Sequence, residues 1–291
     1  MKRFIAFVLL VTACGAIFYF GRRQKPDTRV GAQGILNAVA DTQREISRIP
    51  AQITRLSDEE EIRIGDSMAA NYLSHWHVAN TSDAEMQDYV RKVGSAVSGR
   101  ARRHLPYKFH YVADSGFVNA FALPGGHVFI GQGLIKLMKS EDELASVLGH
   151  EVEHVDNYHC AERVQVEARL RHLPLGELVA LPMELFQAGY SKEQELEADR
   201  DGTTLAVMAG YSAEGAIHLF QTFAKLHKTY LLKAGSPDEE LSKVAIQGLT
   251  DYFRSHPLPE EREAQIKNMV RRARWPERAE RPLKVTTPVH A

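Results

Sequence analysis

The sequence predicts an α+β fold, mostly helical with one small β-sheet, and three observations carry this. Apolar residues recur at helical spacing through most of the chain beyond residue 57. A single stretch, Tyr107 to Ile130, has the composition of strands instead. The third is Gly149-His150-Glu151-Val152-Glu153-His154, which closes an apolar helical run starting after Ser140.

The elements follow in chain order. Met1-Lys2-Arg3 is a basic start, Phe4 to Phe20 carries no charge, and Gly21-Arg22-Arg23 opens a polar linker. A spanning helix needs about 20 apolar residues, so this run is short for a span and long for a signal core. Val11-Thr12-Ala13-Cys14-Gly15 resembles a bacterial lipobox, in which Cys14 is the lipidated residue. An uncleaved anchor through Phe20 and a simply cleaved signal are the other two readings. All three place the remainder on the outer side of the inner membrane, attached through lipid or anchor in two of them. The expected segments are therefore 1–23 for targeting, 24–56 for a linker, 57–275 for the globular domain and 276–291 for a tail.

Ser57 with Glu60 starts a helix to about Tyr72, and Ser82 to about Arg100 forms a second with Met86, Val90, Val93 and Val97 on one face. Tyr107 to Val112 is strand-like. After a turn at Asp114 to Gly116 an apolar stretch ends in Pro124-Gly125-Gly126, followed by His127-Val128-Phe129-Ile130. Two glycines before a β-branched and aromatic run point to an exposed edge strand, the alternative being an ordinary core hairpin. A short helix near Leu134 to Lys139 precedes the main one, which Ser140 and Glu143 cap and which runs on to about His172. Leu173 to Phe186 is apolar but broken by Pro174, Gly176 and Pro182, which suits a cleft lining or a lid. Helices at about 195–202, from Ala213 to about Lys233, Pro237 to about Ser255 and Pro259 to about Ala273 complete the chain.

His150 and His154 are four apart on a helix, hence about 40° apart around its axis and about 6 Å along it, so both imidazoles leave one face. That spacing suits two ligands of one zinc ion, one per chain. Glu151 lies beside the metal, poorly aimed to ligate it but within reach of a water as general base. A surface helix with scattered His and Glu is the competing reading. It sits badly with Leu144, Val147, Leu148, Val152 and Val155, which give the helix an apolar face. A catalytic zinc needs a third protein ligand. In Glu195-Leu196-Glu197-Ala198-Asp199-Arg200-Asp201-Gly202, Glu195 and Asp199 share a face one turn apart, Glu197 points roughly opposite, and small Ala198 permits close approach. Glu195 is the expected third ligand. Asp199 is expected behind a ligand imidazole, accepting its N–H. An acidic solvated face is the alternative.

These residues resemble a known family, zinc metallopeptidase family forty-eight, which includes HtpX, the CAAX prenyl protease, mitochondrial Oma-type proteases and periplasmic BepA- and LoiP-like enzymes. The matches are His-Glu-x-x-His at 150–154, Glu-x-x-Ala-Asp at 195–199, Asn119-Ala120-Phe121-Ala122-Leu123-Pro124-Gly125-Gly126, and Ser255-His256-Pro257-Leu258-Pro259-Glu260-Glu261-Arg262. Lacking the several spans of the prenyl and HtpX branches, the chain looks like the soluble periplasmic branch. The resemblance implies a zincin-like (gluzincin) fold and a zinc endopeptidase acting on misfolded or stalled envelope proteins. It makes Asn119 to Phe129, with Gly125, Gly126, His127 and Val128, the substrate edge strand beside the zinc. It implies for His256 a mobile-loop switch that can occupy the open zinc position, against an ordinary turn residue before proline. Arg262 either pairs with an acidic group near the site, clamps substrate carbonyls, or belongs to an exposed helix start. A chaperone or assembly factor using the same cleft is the second reading.

The remaining signals exclude more than they assign. A net charge of −1 and a pI near 6.9 leave no electrostatic footprint for nucleic acid. Cys14 and Cys160 are the only cysteines. With Cys14 in the targeting segment no internal disulfide forms, and Cys160 reads as a buried structural thiol. His104, His110, His159, His172, His218, His227 and His290 have no partner at metal spacing in the sequence and are not expected to be ligands. The pair His75 and His77 is not expected to form a second metal site.

Overall fold

The computed structural model describes residues 56–75, 83–170, 189–233 and 259–284. Cys14, His256, the interrupted apolar stretch 173–186 and the expected helix 237–255 lie outside the described residues. Among the described residues, no helix is long and apolar enough to cross a membrane.

The elements are α1 (Asp58–His75), α2 (Ala84–Ser98), β1 (Lys108–Val112), β2 (Ala120–Leu123), a 3-10 turn (Pro124–Gly126), β3 (His127–Gly131), α3 (Gln132–Ile135), α4 (Glu141–Asp156), α5 (His159–Leu170), α6 (Lys192–Met208), α7 (Glu214–Lys233) and α8 (Pro259–Ala273). The fold is helix-rich with one three-stranded sheet. At the start of α1, Glu60 N–H donates to Ser57 Oγ while Ser57 N–H donates to the Glu60 carboxylate, so both halves of the capping box form. At the start of α4 only one half forms. Ser140 Oγ accepts from Glu143 N–H, but the Glu143 carboxylate turns to Lys139 N–H.

The strand order is β1-β3-β2, with β3 parallel to β1 and antiparallel to β2. This corrects the edge-strand expectation for His127, Val128 and Phe129. They lie in the central strand, both of whose sides are paired, and every residue of β3 is buried. Gly125 and Gly126 are likewise packed inside. Gly125 has φ +74, a conformation that favours glycine, and a Cβ there would meet Ile62 Cα of α1 at 2.5 Å. Its N–H donates to the buried Glu61 carboxylate. The edge strands are β1 and β2, and on β1 the Phe109 carbonyl and the Tyr111 N–H are taken by the Gln87 side chain of α2, which leaves β2 as the candidate.

Side chains alternate across this sheet as a period of two requires. Ala120, Ala122, Val128 and Ile130 pack with α2 and α4, while Phe121, Leu123 and Phe129 pack with Ile64, Met68 and Tyr72 of α1 and Val164 of α5. Both faces are therefore covered, which is why no alternation of polar and apolar residues marks these strands.

A polar seam joins α1 to the sheet. His127 Nε2 donates to Asp66 (2.8 Å), Lys108 Nζ meets the same carboxylate (2.6 Å), and His110 Nε2 donates to the bare His127 Nδ1 (2.9 Å). The His110 ring stacks on Phe129. Burial, helped by the charges of His127 and Lys108, pushes His110 down to about 4. The folded chain thus holds fewer protons than the unfolded one between the usual histidine value and pH 4. Its contribution is complete above about pH 6.5 and is lost as pH falls through that window, by about 3 kcal/mol. His110→Phe, which keeps the stack, is expected to reduce the acid loss of stability by that amount. Urea unfolding of both proteins at pH 7 and pH 4 measures it, and parallel losses would contradict it.

The α4 helix does not continue to His172. It stops at Asp156, Tyr158 takes φ +64, and α5 starts at His159 in a new direction. Arg103, ion-paired with Glu61 and Asp58, donates to Val155 O at the end of α4 and lies 3.8 Å over the Tyr158 ring. The Asp156 carboxylate accepts from Arg102 N–H and Arg103 N–H. Last-turn carbonyls and the turn itself are thereby held by side chains rather than by more helix. Within the expected tail 276–291, residues 276–284 make hydrogen bonds to the helices. Arg281 N–H donates to Asp142 of α4, Arg281 O accepts from Glu141 N–H, and Arg278 donates to the Val207 and Tyr211 carbonyls.

Candidate metal centre

Two helices in backbone contact build the site. Gly149 of α4 lies against Gly202 of α6: a Cβ on Gly202 would come within 2.5 Å of His150 N, and one on Gly149 within 2.5 Å of Gly202 O. Ala198 is fully buried on the same helix. Nothing larger fits at this crossing, and the approach carries Glu195 and Asp199 of α6 to the imidazoles of α4. The first turn of α6 is fixed by a Ser191–Gln194 capping box.

His150 Nε2 and His154 Nε2 approach to 3.0 Å, and the Glu195 carboxylate oxygens lie 3.5 Å from the first and 3.4 Å from the second. All three groups are buried and offer ligand atoms within 4.8 Å of one another. Tetrahedral zinc with bonds of about 2.0–2.1 Å requires ligand atoms about 3.3 Å apart. The donor set of two imidazoles and one carboxylate fits zinc in both spacing and chemistry. Among the described residues this is the sole cluster of its kind. Glu151, directly after His150, is buried with 1% exposure.

Each ligand histidine is held from behind. Asp199 Oδ1 accepts from His150 Nδ1 at 2.9 Å, and Arg262 grips Asp199 with Nε on Oδ2 (2.6 Å) and Nη2 on Oδ1 (2.7 Å). Arg262 is 3% exposed, its guanidinium also 3.5 Å from Glu195 and 4.9 Å over the Phe220 ring. Of the three roles expected for Arg262, pairing with an acidic group is the one seen. The exposed helix start is excluded by burial, and Nε and Nη2 are committed to Asp199 rather than turned to a substrate. Burial works to raise Asp199, but the Arg262 charge and hydrogen bonds outweigh it and hold the carboxyl below its usual range. Burial works to lower His150, and the Asp199 hydrogen bond with the Glu195 and Asp199 charges reverses the direction. His154 is driven well below the ordinary imidazole value, first by burial.

Four contacts escaped the sequence. His154 Nδ1 meets His159 Nδ1 at 3.0 Å, and His159 Nε2 lies 3.5 Å from Glu197, a residue expected to face solvent. Tyr190 stacks on His154 with centroids 3.8 Å apart and 16° between planes, its hydroxyl 3.3 Å from Cys160 Sγ. Cys160 is fully buried, and the same surroundings push its thiol up to about 12. The signal for His159 was its place five residues after His154, legible only with the helix break known. Asn119, 3% exposed, uses its own Oδ1 to accept Ala120 N–H.

A helix-borne His-Glu-x-x-His, a carboxylate from a second helix and a supporting sheet define a zinc metallopeptidase site. The chain belongs to Peptidase family M48, whose model matches residues 81–270. A putative beta-barrel assembly-enhancing protease of Vibrio cholerae is 28% identical over 228 residues, covering 71% of this chain and 43% of that protein. The beta-barrel assembly-enhancing protease of Escherichia coli K12 is 25% identical over 240 residues, 75% of this chain and 45% of the relative. The mitochondrial metalloendopeptidase OMA1 of Arabidopsis thaliana is 30% identical over 159 residues, 52% of this chain and 29% of that protein. The chain thus spans less than half the length of these relatives.

Proposed function

We propose that the protein is a zinc-dependent endopeptidase of the bacterial cell envelope that hydrolyses peptide bonds in misfolded or stalled envelope polypeptides. The observation that carries the chemistry is the convergence of His150, His154 and Glu195 at tetrahedral zinc spacing with Glu151 alongside. Zinc, when bound, supplies Lewis acidity, which polarises a scissile carbonyl and acidifies water. Glu151 takes the proton of the attacking water and returns it to the leaving amine. Asp199, held by Arg262, keeps the His150 proton on Nδ1 and its Nε2 bare.

A gluzincin-type cleft follows from this reading, with the peptide bound as an added strand. The sheet offers β2 for that role. Gly131 N–H donates to Asn119 O, so by antiparallel alternation Ala120 and Ala122 turn their own polar groups outward, where Asn119 Oδ1 takes the Ala120 N–H and leaves the Ala120 carbonyl for a partner strand. Cys160 Sγ stands 3.6 Å from the Ala122 carbonyl. We therefore assign the Asn119–Ala120 end of that edge, rather than Gly125 to Phe129, to substrate. Backbone pairing makes little demand on sequence, as cleavage of varied unfolded clients requires. The envelope setting draws on the names of the bacterial relatives and on the apolar amino-terminal run, with Cys14 as lipidation site. His256, by the same resemblance, is proposed as the switch at the open zinc position.

The names of the bacterial relatives pair assembly with proteolysis, which keeps a client-holding role as the second reading. Digestion of a reduced, alkylated protein separates chemistry from holding. Cleavage is expected to stop on zinc chelation and return on zinc addition. Undiminished cleavage in chelator would overturn the proposal.

A further inference from the structure

The two ligand histidines are supported by different chemistry. Behind His150 stands a carboxylate fixed by an arginine, whereas behind His154 stands a second imidazole, that of His159, 3% exposed. The chain reaches this arrangement through the left-handed Tyr158, which turns α5 so that its first residue comes back onto α4. The two rings lie 5.2 Å apart at 60°, with the nitrogens 3.0 Å apart.

Proton positions along this line follow from donor and acceptor rules. His154 must present a bare Nε2 toward His150 and Glu195 to ligate a metal, so its proton sits on Nδ1. Two N–H groups do not face one another at 3.0 Å, so His159 Nδ1 is bare and accepts. The His159 proton then sits on Nε2, toward the Glu197 carboxylate 3.5 Å away. Glu197 belongs to α6, two residues beyond the ligand Glu195, so the same helix that supplies the third ligand also orients His159.

We infer that His159, backed by Glu197, is a positioning residue that fixes the tautomer and ring orientation of His154 and thereby sets the affinity for zinc. It is no ligand itself, since both its nitrogens are turned to His154 and Glu197. The inference rests on the zinc site proposed above but not on the identity of the substrate.

The test uses the full chain carrying Glu151→Gln, so that self-cleavage does not confuse the comparison. Zinc affinity is read by chelator competition and ligand geometry from the visible spectrum of the cobalt-substituted protein. His159→Phe is expected to weaken zinc about 10–100-fold, the range for partners behind a ligand, and to change the cobalt spectrum. His159→Asn, whose Oδ1 can still accept from His154 and whose Nδ2 can still donate, is expected to recover most of that affinity. A filler role would order these variants by size instead. Wild-type zinc affinity in His159→Phe, or equal loss in the Phe and Asn variants with metal-free unfolding temperatures unchanged, would overturn the inference. Should His159→Phe fail to fold, Glu197→Ala carries the test: about a tenfold loss is expected, and unchanged affinity overturns it. If the parent protein bound no zinc, the metal site itself would fall, a result distinct from any of these.

Discussion

Replacing Glu151 by glutamine is expected to abolish peptide-bond cleavage while leaving the zinc and the fold in place. The carboxylate belongs to the residue directly after His150 on α4 and is 1% exposed, so it flanks the ligand imidazoles without joining them. Glutamine has the same size and cannot take a proton from water. General-base catalysis contributes about 10²–10⁴-fold, so kcat on an unfolded protein substrate should fall by that factor, a barrier increase of about 3–5 kcal/mol. Zinc content and unfolding temperature should match the parent. A variant cleaving at the parental rate would remove Glu151 from the chemistry. A cleavage-dead variant that still prevented aggregation of clients would show that holding and cutting are separable.

Substituting Gly202 by alanine is expected to damage the metal site from a position that offers no ligand. A methyl group there would stand 2.5 Å from His150 N and 2.6 Å from Gly149 C, and both atoms are backbone of α4, which is buried from Asp142 to Asp156. No flexible side chain can yield, so α6 must move away from α4. Glu195 and Asp199 travel with α6, opening the 3.4–3.5 Å spacings of Glu195 to the imidazoles and the 2.9 Å bond from His150 to Asp199. Overpacking of this kind costs about 1–3 kcal/mol. Zinc affinity should fall by about 10-fold or more, because both a ligand and its supporting carboxylate are displaced. Chelator competition and calorimetry on the two proteins check this. Parental affinity in the alanine variant would show that the glycine contact does not set the ligand spacing.

What could be read from the sequence was what short-range geometry governs. His150 with His154, and Glu195 with Asp199, are helical i, i+4 pairs, and their relative placement follows from helix pitch alone. The helices Asp58–His75, Glu214–Lys233 and Pro259–Ala273 likewise carried local caps or spacing. Strand order was not legible, because pairing is non-local and Val128 to Ile130 reads the same in a central or an edge strand. The turn at Tyr158 was hidden as well. Its left-handed conformation goes with the hold of Arg102 and Arg103, remote in the chain, on Asp156 and the Val155 carbonyl at the end of α4. His159 was missed for that reason, since on an unbroken helix it would have pointed elsewhere. Arg262 could be assigned a class of partner but not Asp199 itself, and the hold of Arg281 on the start of α4 left no pattern at all. Gly149 and Gly202 were visible as glycines inside helical stretches, a placement that often marks close packing.

The most direct measurement of the central claim is anomalous scattering at the zinc edge from crystals of the full protein. One peak per chain is expected, within bonding distance, about 2.0–2.2 Å, of His150 Nε2, His154 Nε2 and a Glu195 carboxylate oxygen. A peak bound elsewhere, or active crystals with no peak between the two helices, would contradict it.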